Sequence, residues 1–371
     1  MRAVVIGVGM IGVVHARAAR AAGATVRGVL ASTPERSAAV AAEWQVPTAY
    51  PDLDAVAADD EVDVVHVCTP NVLHADQTET LLRAGKHVIC EKPLATTVKD
   101  AQRVTDLAAG SGLVLAVPYV YRYHPIVREL RERRLRGDFG AWQLLHGSYL
   151  QDWLLPADAA SWRVDPAAGG PSRAFADIGS HWCDLVEWVA GVRFAEVSAR
   201  LGTTMDTRPA GSTATFAAAA SDAERVPVRT EDVAVVLLRT AEGVLGTLTV
   251  SQVSAGRKNR LWFELDGALG SAVFDQENAE QAWLGARDGA KVIVRDPEFG
   301  SAEQRRLNRL PAGHAQGYAD CFDAFVADTY ATITGQHPAG LPTGVDGVRS
   351  ARIIDAVLRS HSSLTWTPVP A

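Results

Sequence analysis

The stretch AVVIGVGMIG, residues 3–12, joins a short apolar run to a turn that holds three spaced glycines. The apolar run is typical of a buried strand, and residues 13–22 are typical of a helix that ends at Gly23. In such a unit Gly7 permits the tight turn, Gly9 lets a pyrophosphate approach the backbone, and Gly12 lets the helix pack on the strand. The N–H groups that begin a helix favour bound anions. We therefore predict that the turn binds a dinucleotide through Gly7, Gly9, Met10, Ile11 and Gly12.

Strand and helix patterns alternate through the first 120 residues. Apolar runs at residues 25–31, 63–68, 87–90 and 113–117 are predicted strands. Helical patterns separate them, one beginning at Thr33–Pro34, one at residues 72–84 and one near residues 97–109. Short strands that are apolar on both faces and are joined by helices are typical of a parallel sheet. We predict an α/β, doubly wound Rossmann domain at residues 1–120, which binds the dinucleotide.

The pattern changes after Tyr119, and strands come to dominate. Helices are predicted at residues 126–136 and 178–190, and a series of strands between residues 196 and 294 includes a hairpin turn at residues 241–243. Residues 203–229 are rich in Ala, Ser, Thr and Pro and are predicted to form a loop. We predict that residues 121–371 form an α+β domain with a large, mostly antiparallel open sheet, for substrate binding and oligomerisation. Helices near residues 316–334 and 345–360 close the chain, and the last is expected to pack back near the first domain.

The composition is that of an ordinary globular protein. Among the 371 residues 47% are hydrophobic and 21% are charged, the formal net charge is −7, and the pI is about 5.8. The acidic balance argues against a nucleic-acid-binding surface, and no apolar run is long enough to span a membrane. The N-terminal MRAVVIG lacks a signal-peptide layout, so we expect a cytoplasmic protein. The four cysteines are widely separated and form no CxxC pair, so we expect neither disulfides nor a metal site.

The residues after the second predicted strand bear on the choice of cofactor. Dinucleotide-binding proteins that use NAD commonly carry Asp or Glu there, which binds the ribose hydroxyls. This chain has Ala31, followed by Ser32 and Thr33, with Arg36 one helical turn further on. Hydroxyls and a guanidinium suit a 2′-phosphate, which a carboxylate would repel. We expect NADP to be favoured. NAD or dual use stays open, because Arg36 also suits a solvated helix surface and Glu35 adjoins it.

The tripeptide EKP, residues 91–93, directly follows the predicted strand HVIC. Ligands of a doubly wound sheet bind at the carboxyl ends of its strands, so Lys92 is expected to face the cofactor crevice. Pro93 fixes its own φ and favours an extended backbone at Lys92. A positioned ammonium beside a substrate oxygen would explain this arrangement. The alternative is an ordinary surface lysine in a loop.

Three further motifs belong to the same region of the predicted fold. CTPNVLHAD (residues 68–76) ends the preceding strand, PYVYRYHP (residues 118–125) follows the last strand of the first domain, and GGPSRAFADIGSHWCDL (residues 169–185) leads into a helix. Asp177 and His181 are four residues apart, so they share one face of that helix. An isolated Asp–His pair is more often structural than catalytic. Its place at the junction with a dinucleotide site favours a catalytic role.

With GVGMIG, TPNVLHA, EKP, YRYHP and DIGSHWCDL in this order, the sequence closely resembles the family of glucose–fructose oxidoreductase, inositol dehydrogenase and the MocA proteins. The resemblance spans essentially the whole chain. It implies a Rossmann domain, a second domain with an open sheet, and NAD(P)-dependent oxidation of a sugar, anhydrosugar or cyclitol hydroxyl. It also implies a homodimer or homotetramer formed through the C-terminal sheet. The residues that match the family's catalytic positions are Lys92, Asp177 and His181.

The resemblance also implies binding residues beyond the glycine turn. Those expected at the cofactor, besides Ser32, Thr33 and Arg36, are Thr69, Pro70, Asn71, His74, Glu91, Lys92 and Arg122. Those expected at the substrate are Lys92, Tyr119, Gln151, Asp152, Trp153, Arg163, Asp177 and His181. In SYLQDWLL and SWRVD the polar and aromatic side chains can bind hydroxyls or stack on a sugar ring. A strand or loop role is the alternative for each of them.

The expected mechanism couples hydride transfer to loss of the hydroxyl proton. A histidine with an ordinary pKa of about 6.5 can accept that proton at neutral pH, which suits His181. Asp177 would support the imidazole, and Lys92 would stabilise the negative charge that develops on oxygen. Lys92, with a pKa lowered by desolvation, is the alternative base. The alternative function is a catalytically silent dinucleotide-binding sensor, although such a protein is expected to have lost Lys92 or His181.

Overall fold

The computed structural model describes residues 1–210, 217–218 and 224–371. Its first part is a six-stranded parallel sheet, which confirms the predicted Rossmann fold. The strands are β1 (Arg2–Ile6), β2 (Thr25–Leu30), β3 (Thr48–Ala49), β4 (Val64–Val67), β5 (His87–Cys90) and β6 (Leu115–Ala116). They lie in the order β3-β2-β1-β4-β5-β6, so the winding reverses between β1 and β4. Such sheets bind ligands at the carboxyl ends of the strands beside this reversal.

Helices connect these strands within residues 1–120. They are α1 (Met10–Ala21), α2 (Pro34–Glu43), α3 (Leu53–Ala58), α4 (His74–Arg83) and α5 (Val98–Ser111). Thr33, Asp52 and Thr97 each begin a helix by accepting a hydrogen bond from a backbone N–H of its first turn. The sequence pattern predicts α1, α2, α4 and α5. It misses β3 and α3, which are too short to show a period.

Most of the remaining chain is organised on a second sheet. The strands after residue 120 are β7 (Trp142–Leu150), β8 (Ala159–Ala160), β9 (Phe194–Gly202), β10 (Thr207–Pro209), β11 (Ala217–Ala218), β12 (Arg225–Pro227), β13 (Val233–Thr240), β14 (Leu245–Ser251), β15 (Arg260–Gly267), β16 (Ser271–Asp275), β17 (Gln281–Ala286), β18 (Gly289–Val294) and β19 (Thr367–Pro368). The large sheet has the order β18-β17-β16-β15-β7-β14-β13-β9-β19. Its neighbours are antiparallel except β7 and β14, which confirms the predicted mostly antiparallel sheet.

The predicted loop at residues 203–229 is partly structured. Strand β10 pairs with β12 and strand β8 pairs with β11, both antiparallel. Each of these strands has two or three residues, so no alternation of polar and apolar residues reveals it. The loop prediction is therefore wrong for β10, β11 and β12. Residues 211–216 and 219–223 of that segment lie outside the described residues.

One face of the large sheet is covered and the other is open. The helices after residue 120 are α6 (Pro125–Leu135), α7 (Pro166–Gly169), α8 (Ser180–Ala190), α9 (Ala302–Leu307), α10 (Tyr318–Ile333) and α11 (Gly344–Ser363). Trp182 and Val186 of α8 pack in one core with Phe263 of the sheet. Burial of each such apolar side chain contributes about 1.5–3 kcal/mol. On the opposite face, Leu237 and Trp283 are exposed.

The last two long helices pack on the Rossmann part. Helix α10 lies on α1, where Phe322 and Phe325 share an apolar cluster with Ala18. Helix α11 lies on α5 and β9, and its Val348 shares a cluster with Val88 of β5. The domain boundary expected between residues 120 and 121 stays a prediction. Within the described ranges, no helix is long and apolar enough to cross a membrane.

Candidate active site

The turn between β1 and α1 is shaped by close backbone approaches. A Cβ at Gly7 would lie 2.4 Å from the carbonyl oxygen of Cys68, and the φ of Gly7 is +85°. A Cβ at Gly12 would lie 2.2 Å from the carbonyl oxygen of Gly7. Both positions therefore require glycine. Gly9 differs, because no described atom lies within 4 Å of the place its Cβ would take, so the turn leaves room for a pyrophosphate beside the N-terminus of α1.

The end of β2 carries no carboxylate. The Ala31 N–H donates to the Ser37 hydroxyl at 2.9 Å, and Ser32 is exposed beside it. The Thr33 hydroxyl caps α2 by accepting a hydrogen bond from the Arg36 N–H at 3.2 Å. The Arg36 side chain itself is exposed. The side chains of Ser32 and Arg36 are therefore accessible to a ligand, whereas the Thr33 hydroxyl is used to cap α2.

Lys92 contacts Asp177 at the carboxyl end of β5. Its ammonium donates to Oδ1 of Asp177 at 2.7 Å and to the Asp177 backbone carbonyl at 2.8 Å. The Lys92 side chain is 13% exposed, and its peptide bond to Pro93 is cis. The fold thus joins two residues that lie 85 positions apart in the chain. Two of the three ammonium N–H groups are used, and the third is available to a substrate oxygen.

Asp177 lies in a wide helical turn that precedes α8. Phe175–Gly179 form a π-helical turn, and the regular helix begins only at Ser180. The sequence predicts an ordinary helix from residue 178, which the structure corrects. The start of this segment is fixed by buried Glu231, whose carboxylate accepts the N–H groups of Arg173 and Phe175 at 3.0 and 2.9 Å. Turns of this width often occur at functional sites.

The charges around Asp177 keep its carboxylate ionised. Its Oδ2 accepts a hydrogen bond from the Gln252 amide at 2.9 Å, and Nε of Arg163 lies 3.7 Å from its Oδ1. Burial alone would raise the pKa of Asp177, but the charges of Lys92 and Arg163 outweigh burial and hold it well below its usual range. Gln252 is not among the site residues predicted from the sequence. It stands just beyond β14, where a polar side chain follows an alternating strand.

His181 is enclosed by tyrosine rings. Tyr119 and Tyr121 pack edge-on against it, with ring centroids 5.6 and 5.1 Å away, and the residue is 8% exposed. Its Nδ1 has no hydrogen-bond partner within the described part of the chain. Burial, followed by the ammonium of Lys92, lowers the pKa of His181 to about 3. The ordinary pKa expected from the sequence is therefore wrong, and the imidazole is neutral at physiological pH.

A network of hydroxyl and amide groups borders this cluster. The Tyr121 and Tyr149 hydroxyl oxygens lie 2.6 Å apart. Asn259 donates to the Tyr121 oxygen at 3.1 Å and accepts from the Tyr149 hydroxyl at 2.7 Å. Its carbonyl oxygen also accepts a hydrogen bond from the Gln151 amide at 2.9 Å. Asn259 lies in the run GRKNR, which matches no motif, so its local sequence gives no signal of this role.

Comparison with known proteins identifies the family. Residues 1–119 match the Gfo/Idh/MocA model, described as an oxidoreductase family with an NAD-binding Rossmann fold, and residues 127–273 match the Gfo/Idh/MocA C-terminal domain. This chain belongs to the Gfo/Idh/MocA family. The resemblance inferred from the sequence motifs is confirmed, and so is the expected class, an NAD(P)-dependent oxidoreductase.

Similar members of the Gfo/Idh/MocA family include a sugar dehydrogenase. Levoglucosan dehydrogenase from Pseudarthrobacter phenanthrenivorans is 30% identical over 357 residues, which cover 93% of this chain and 90% of the relative. The structure of an oxidoreductase domain protein from Kribbella flavida has a TM-score of 0.89 at 32% identity and covers 100% of this chain and 99% of its own. A structure of levoglucosan dehydrogenase with NADH and levoglucosan has a TM-score of 0.90 at 27% identity and covers 100% of each chain.

Some of the expected substrate residues of this Gfo/Idh/MocA protein lie around the polar network. The Trp153 indole N–H donates to the Gln151 carbonyl oxygen at 2.9 Å, which links both to the amide of Asn259. The guanidinium of Arg163 stacks over the Trp162 ring, 4.5 Å from its centre. These side chains stay candidates for contacts with a sugar ring and its hydroxyls.

Two predicted binding residues are engaged elsewhere. Arg122 is buried and pairs with Asp184, with Nε to Oδ2 at 2.8 Å, and with Asp346 at 2.7 Å. Because these carboxylates hold the guanidinium, the arrangement does not support cofactor binding by Arg122. Asp152 accepts a hydrogen bond from the exposed ammonium of Lys258 at 2.6 Å, so its carboxylate is already paired with a cation.

The TPN turn after β4 is tied to its neighbours. The Asn71 amide donates to the Gly169 carbonyl at 2.9 Å. The two ring nitrogens of His74 lie 2.8 Å from the carbonyl oxygens of Thr69 and Pro93, so His74 links the TPN turn to the EKP turn. The His74 ring is buried, and burial lowers its pKa although both carbonyls favour the charged form. The His74 ring therefore has a structural role, because it holds the TPN turn against the EKP turn. Pro70 and Thr69 stay candidates for the cofactor.

Proposed function

We propose that this protein oxidises a secondary hydroxyl of a pyranose-like sugar, an anhydrosugar or a cyclitol, with hydride transfer to C4 of a nicotinamide. The observation that carries the proposal is the contact between Lys92 and Asp177 near neutral His181, at the carboxyl end of β5. Ligands of doubly wound sheets bind at this end. The relative named levoglucosan dehydrogenase supports a sugar-like substrate.

Each residue of the cluster has a role in this proposal. The free N–H of Lys92 hydrogen-bonds the reacting oxygen and stabilises the negative charge that develops there. Neutral His181 accepts the hydroxyl proton. Asp177 holds the ammonium of Lys92, and its negative charge favours the imidazolium that forms. The nicotinamide, when bound, supplies the hydride acceptor. Lys92 is the alternative base: its neutral amine would accept the hydroxyl proton, and Asp177 would stabilise the ammonium that forms.

The polar network suits a substrate with several hydroxyls. Gln151 and Asn259 present amide groups that both donate and accept, and the Tyr149 hydroxyl extends the row. The aromatic face of Trp153 suits the apolar face of a sugar ring. These groups already hydrogen-bond one another, and the second amide N–H of Gln151 and of Asn259 can donate to substrate hydroxyls.

A substrate panel tests the function. Purified protein is mixed with levoglucosan, glucose, xylose and myo-inositol, each with NADP and with NAD, and the absorbance of the reduced nicotinamide is followed. We expect turnover of at least one of these substrates. Tight binding of the cofactor without turnover of any panel member, in either direction, would favour the silent sensor instead.

We propose that NADP is the favoured cofactor. Supporting this, Ala31 supplies no carboxylate at the end of β2, and the Ser32 hydroxyl and the Arg36 guanidinium are both exposed beside it. A 2′-phosphate gains charge-assisted hydrogen bonds from these groups. Exposed Glu35 counts against NADP, and dual use stays the alternative.

Replacing Arg36 with alanine should weaken NADP binding by about 10-fold or more and leave NAD binding nearly unchanged. The reason is that only NADP carries the phosphate that the guanidinium meets. Fluorescence titration of both cofactors measures the two dissociation constants. Arg287→Ala, at an exposed arginine in the turn after β17, is the matched control. Equal weakening of both cofactors by Arg36→Ala contradicts the assignment.

We propose that the open face of the large sheet pairs two copies of this chain. One row of side chains runs across it through Leu237, Thr247, His146, Glu264, Val273, Trp283 and Val292, in the register of the paired strands. Its ends are apolar and exposed, and at its centre His146 lies 3.9 Å from Glu264 and 3.6 Å from Asp266. The side chains of His146, Glu264 and Asp266 lie close enough together to hold a metal ion. They stand on this open face of the sheet and not beside Lys92. An exposed apolar surface of this kind is typical of an interface.

Light scattering should give a dimer or tetramer for the wild-type protein, and Leu237→Asp should shift it toward the 39.5 kDa monomer. A carboxylate in a buried apolar contact is strongly unfavourable. Val345→Asp, at a 65% exposed position on α11, is the matched control and should leave the mass unchanged. A wild-type monomer at micromolar concentration would refute the proposed assembly.

A further inference from the structure

A row of buried hydrogen bonds leads from α10 to the EKP turn. The Tyr330 hydroxyl lies 2.8 Å from Nε2 of His66, and Nδ1 of His66 lies 2.9 Å from Nδ1 of His15. Nε2 of His15 lies 3.0 Å from Oε1 of Glu91, and Oε2 of Glu91 accepts the Lys92 N–H at 3.0 Å. His15 and His66 are fully buried, and Tyr330 and Glu91 nearly so. Four separate elements thus meet in one line: α10, β4, α1 and the end of β5.

The chemistry of the groups sets the direction of this row. An ionised carboxylate can only accept, so Nε2 of His15 must carry a hydrogen. Neutral His15 then accepts at Nδ1, and His66 must donate from its own Nδ1. Nε2 of His66 is left as an acceptor, which the Tyr330 hydroxyl satisfies. Every donor faces an acceptor, from Tyr330 to Glu91. Burial would raise the pKa of Glu91, but the hydrogen bond from His15 and the charge of Lys92 outweigh burial and lower it.

The opposite arrangement is less favourable. If His15 were charged, His66 would accept at Nδ1 and donate from Nε2 to the Tyr330 oxygen. The Tyr330 hydroxyl hydrogen would then have no acceptor within residues 1–210, 217–218 and 224–371, and the positive charge would stand on a side chain with 0% exposure. Burial and the charge of His15 both lower the pKa of His66, so a second charge there is disfavoured as well.

We propose that Tyr330, His66 and His15 are positioning residues that act on Lys92 through Glu91. One oxygen of the Glu91 carboxylate is fixed by His15 and the other by the backbone N–H of Lys92. The row therefore sets the direction in which the Lys92 backbone leaves β5, and with it the place where the ammonium meets Asp177. This inference rests on the proposed dehydrogenase function, and it assigns a role to three residues that touch neither substrate nor reacting oxygen.

The ring tautomers test the row without turnover. In protein labelled with ¹⁵N-histidine, the signals of His15 and His66 are assigned by their loss in His15→Gln and His66→Leu. We expect hydrogen on Nε2 of His15 and on Nδ1 of His66. In Glu91→Gln the amide oxygen should stay on the Lys92 N–H and its NH₂ should face His15, so both tautomers should reverse. Hydrogen on Nε2 of both rings, or no reversal in Glu91→Gln, overturns the proposal.

Kinetics test the effect on Lys92. His66→Leu should lower kcat by about 10-fold, and Tyr330→Phe should lower it by about 3-fold, with the cofactor dissociation constant nearly unchanged. Tyr123→Phe is the matched control, because the buried Tyr123 hydroxyl has no partner in the described residues. Equal losses in Tyr330→Phe and Tyr123→Phe overturn the positioning role. If no panel substrate reacts, the proposed function fails, whereas the tautomers still decide whether the row exists.

Discussion

Replacing Lys92 with alanine should lower kcat by about 100-fold or more, as the loss of a donor to a developing oxyanion does. The structure leaves one ammonium N–H for the reacting oxygen, because Asp177 takes the other two. Cofactor affinity should change little, since the glycine turn and the end of β2 are expected to carry most of it. Steady-state kinetics on the best panel substrate, with fluorescence titration of the cofactor, measure both quantities.

The control for Lys92 is Lys99→Ala, at an exposed lysine in the first turn of α5. It should leave both kcat and cofactor affinity unchanged. Lys92→Ala also removes the cation that holds Asp177, so the thermal midpoint is measured beside the kinetics. A Lys92→Ala protein with a lower thermal midpoint but nearly normal kcat would show that Lys92 is a structural residue. That result would contradict the proposed catalytic site.

Replacing His181 with alanine should lower kcat by about 100- to 10,000-fold if the imidazole accepts the hydroxyl proton. A base works while it is unprotonated. Since burial and Lys92 lower the pKa of His181 to about 3, it is unprotonated throughout the neutral and mildly acidic range. The acid limb of kcat/KM that reports His181 should therefore fall near pH 3 and be absent from His181→Ala. A limb near pH 6.5 that disappears in His181→Ala would contradict the lowered pKa.

Chemical rescue separates the two candidate bases. Added imidazole should restore part of the rate of His181→Ala, whereas added alkylamines should restore Lys92→Ala with a dependence on amine basicity if lysine is the base. The double variant should be little slower than the slower single variant, because residues that act as a unit are not additive. Multiplied losses in the double variant would show that the two residues act independently.

The sequence predicts what local patterns encode. The glycine turn needs small residues at Gly7 and Gly12 because backbone atoms approach within 2.4 Å of their Cβ positions, and that demand is visible as a motif. Lys92 follows a strand end, so the rule for doubly wound sheets places it without knowledge of its neighbours. The direct contact of Lys92 with Asp177 then follows from the fold.

What the sequence misses depends on distant partners. Gln252 reaches the cluster from just beyond β14 and Asn259 from just before β15, and neither stands in a recognisable motif. The π-helical turn is anchored by Glu231, which lies far along the chain. The pKa of His181 depends on burial under tyrosine rings and on the charge of Lys92, and burial is not visible in one sequence. The sequence near Arg122 gives no sign that its guanidinium is paired, because its carboxylate partners Asp184 and Asp346 lie in other elements.

The packing of α10 and α11 has a consequence for biosynthesis. Phe322 and Phe325 complete an apolar cluster with Ala18, and Val348 completes one with Val88. The ribosome makes Ala18 and Val88 long before these late partners. A nascent chain that ends after β6 therefore exposes apolar surface until the last helices emerge. Such surface attracts chaperones and promotes aggregation. Premature termination before residue 318 should thus yield a protein that is cleared by proteases, even though every expected catalytic residue has already been translated.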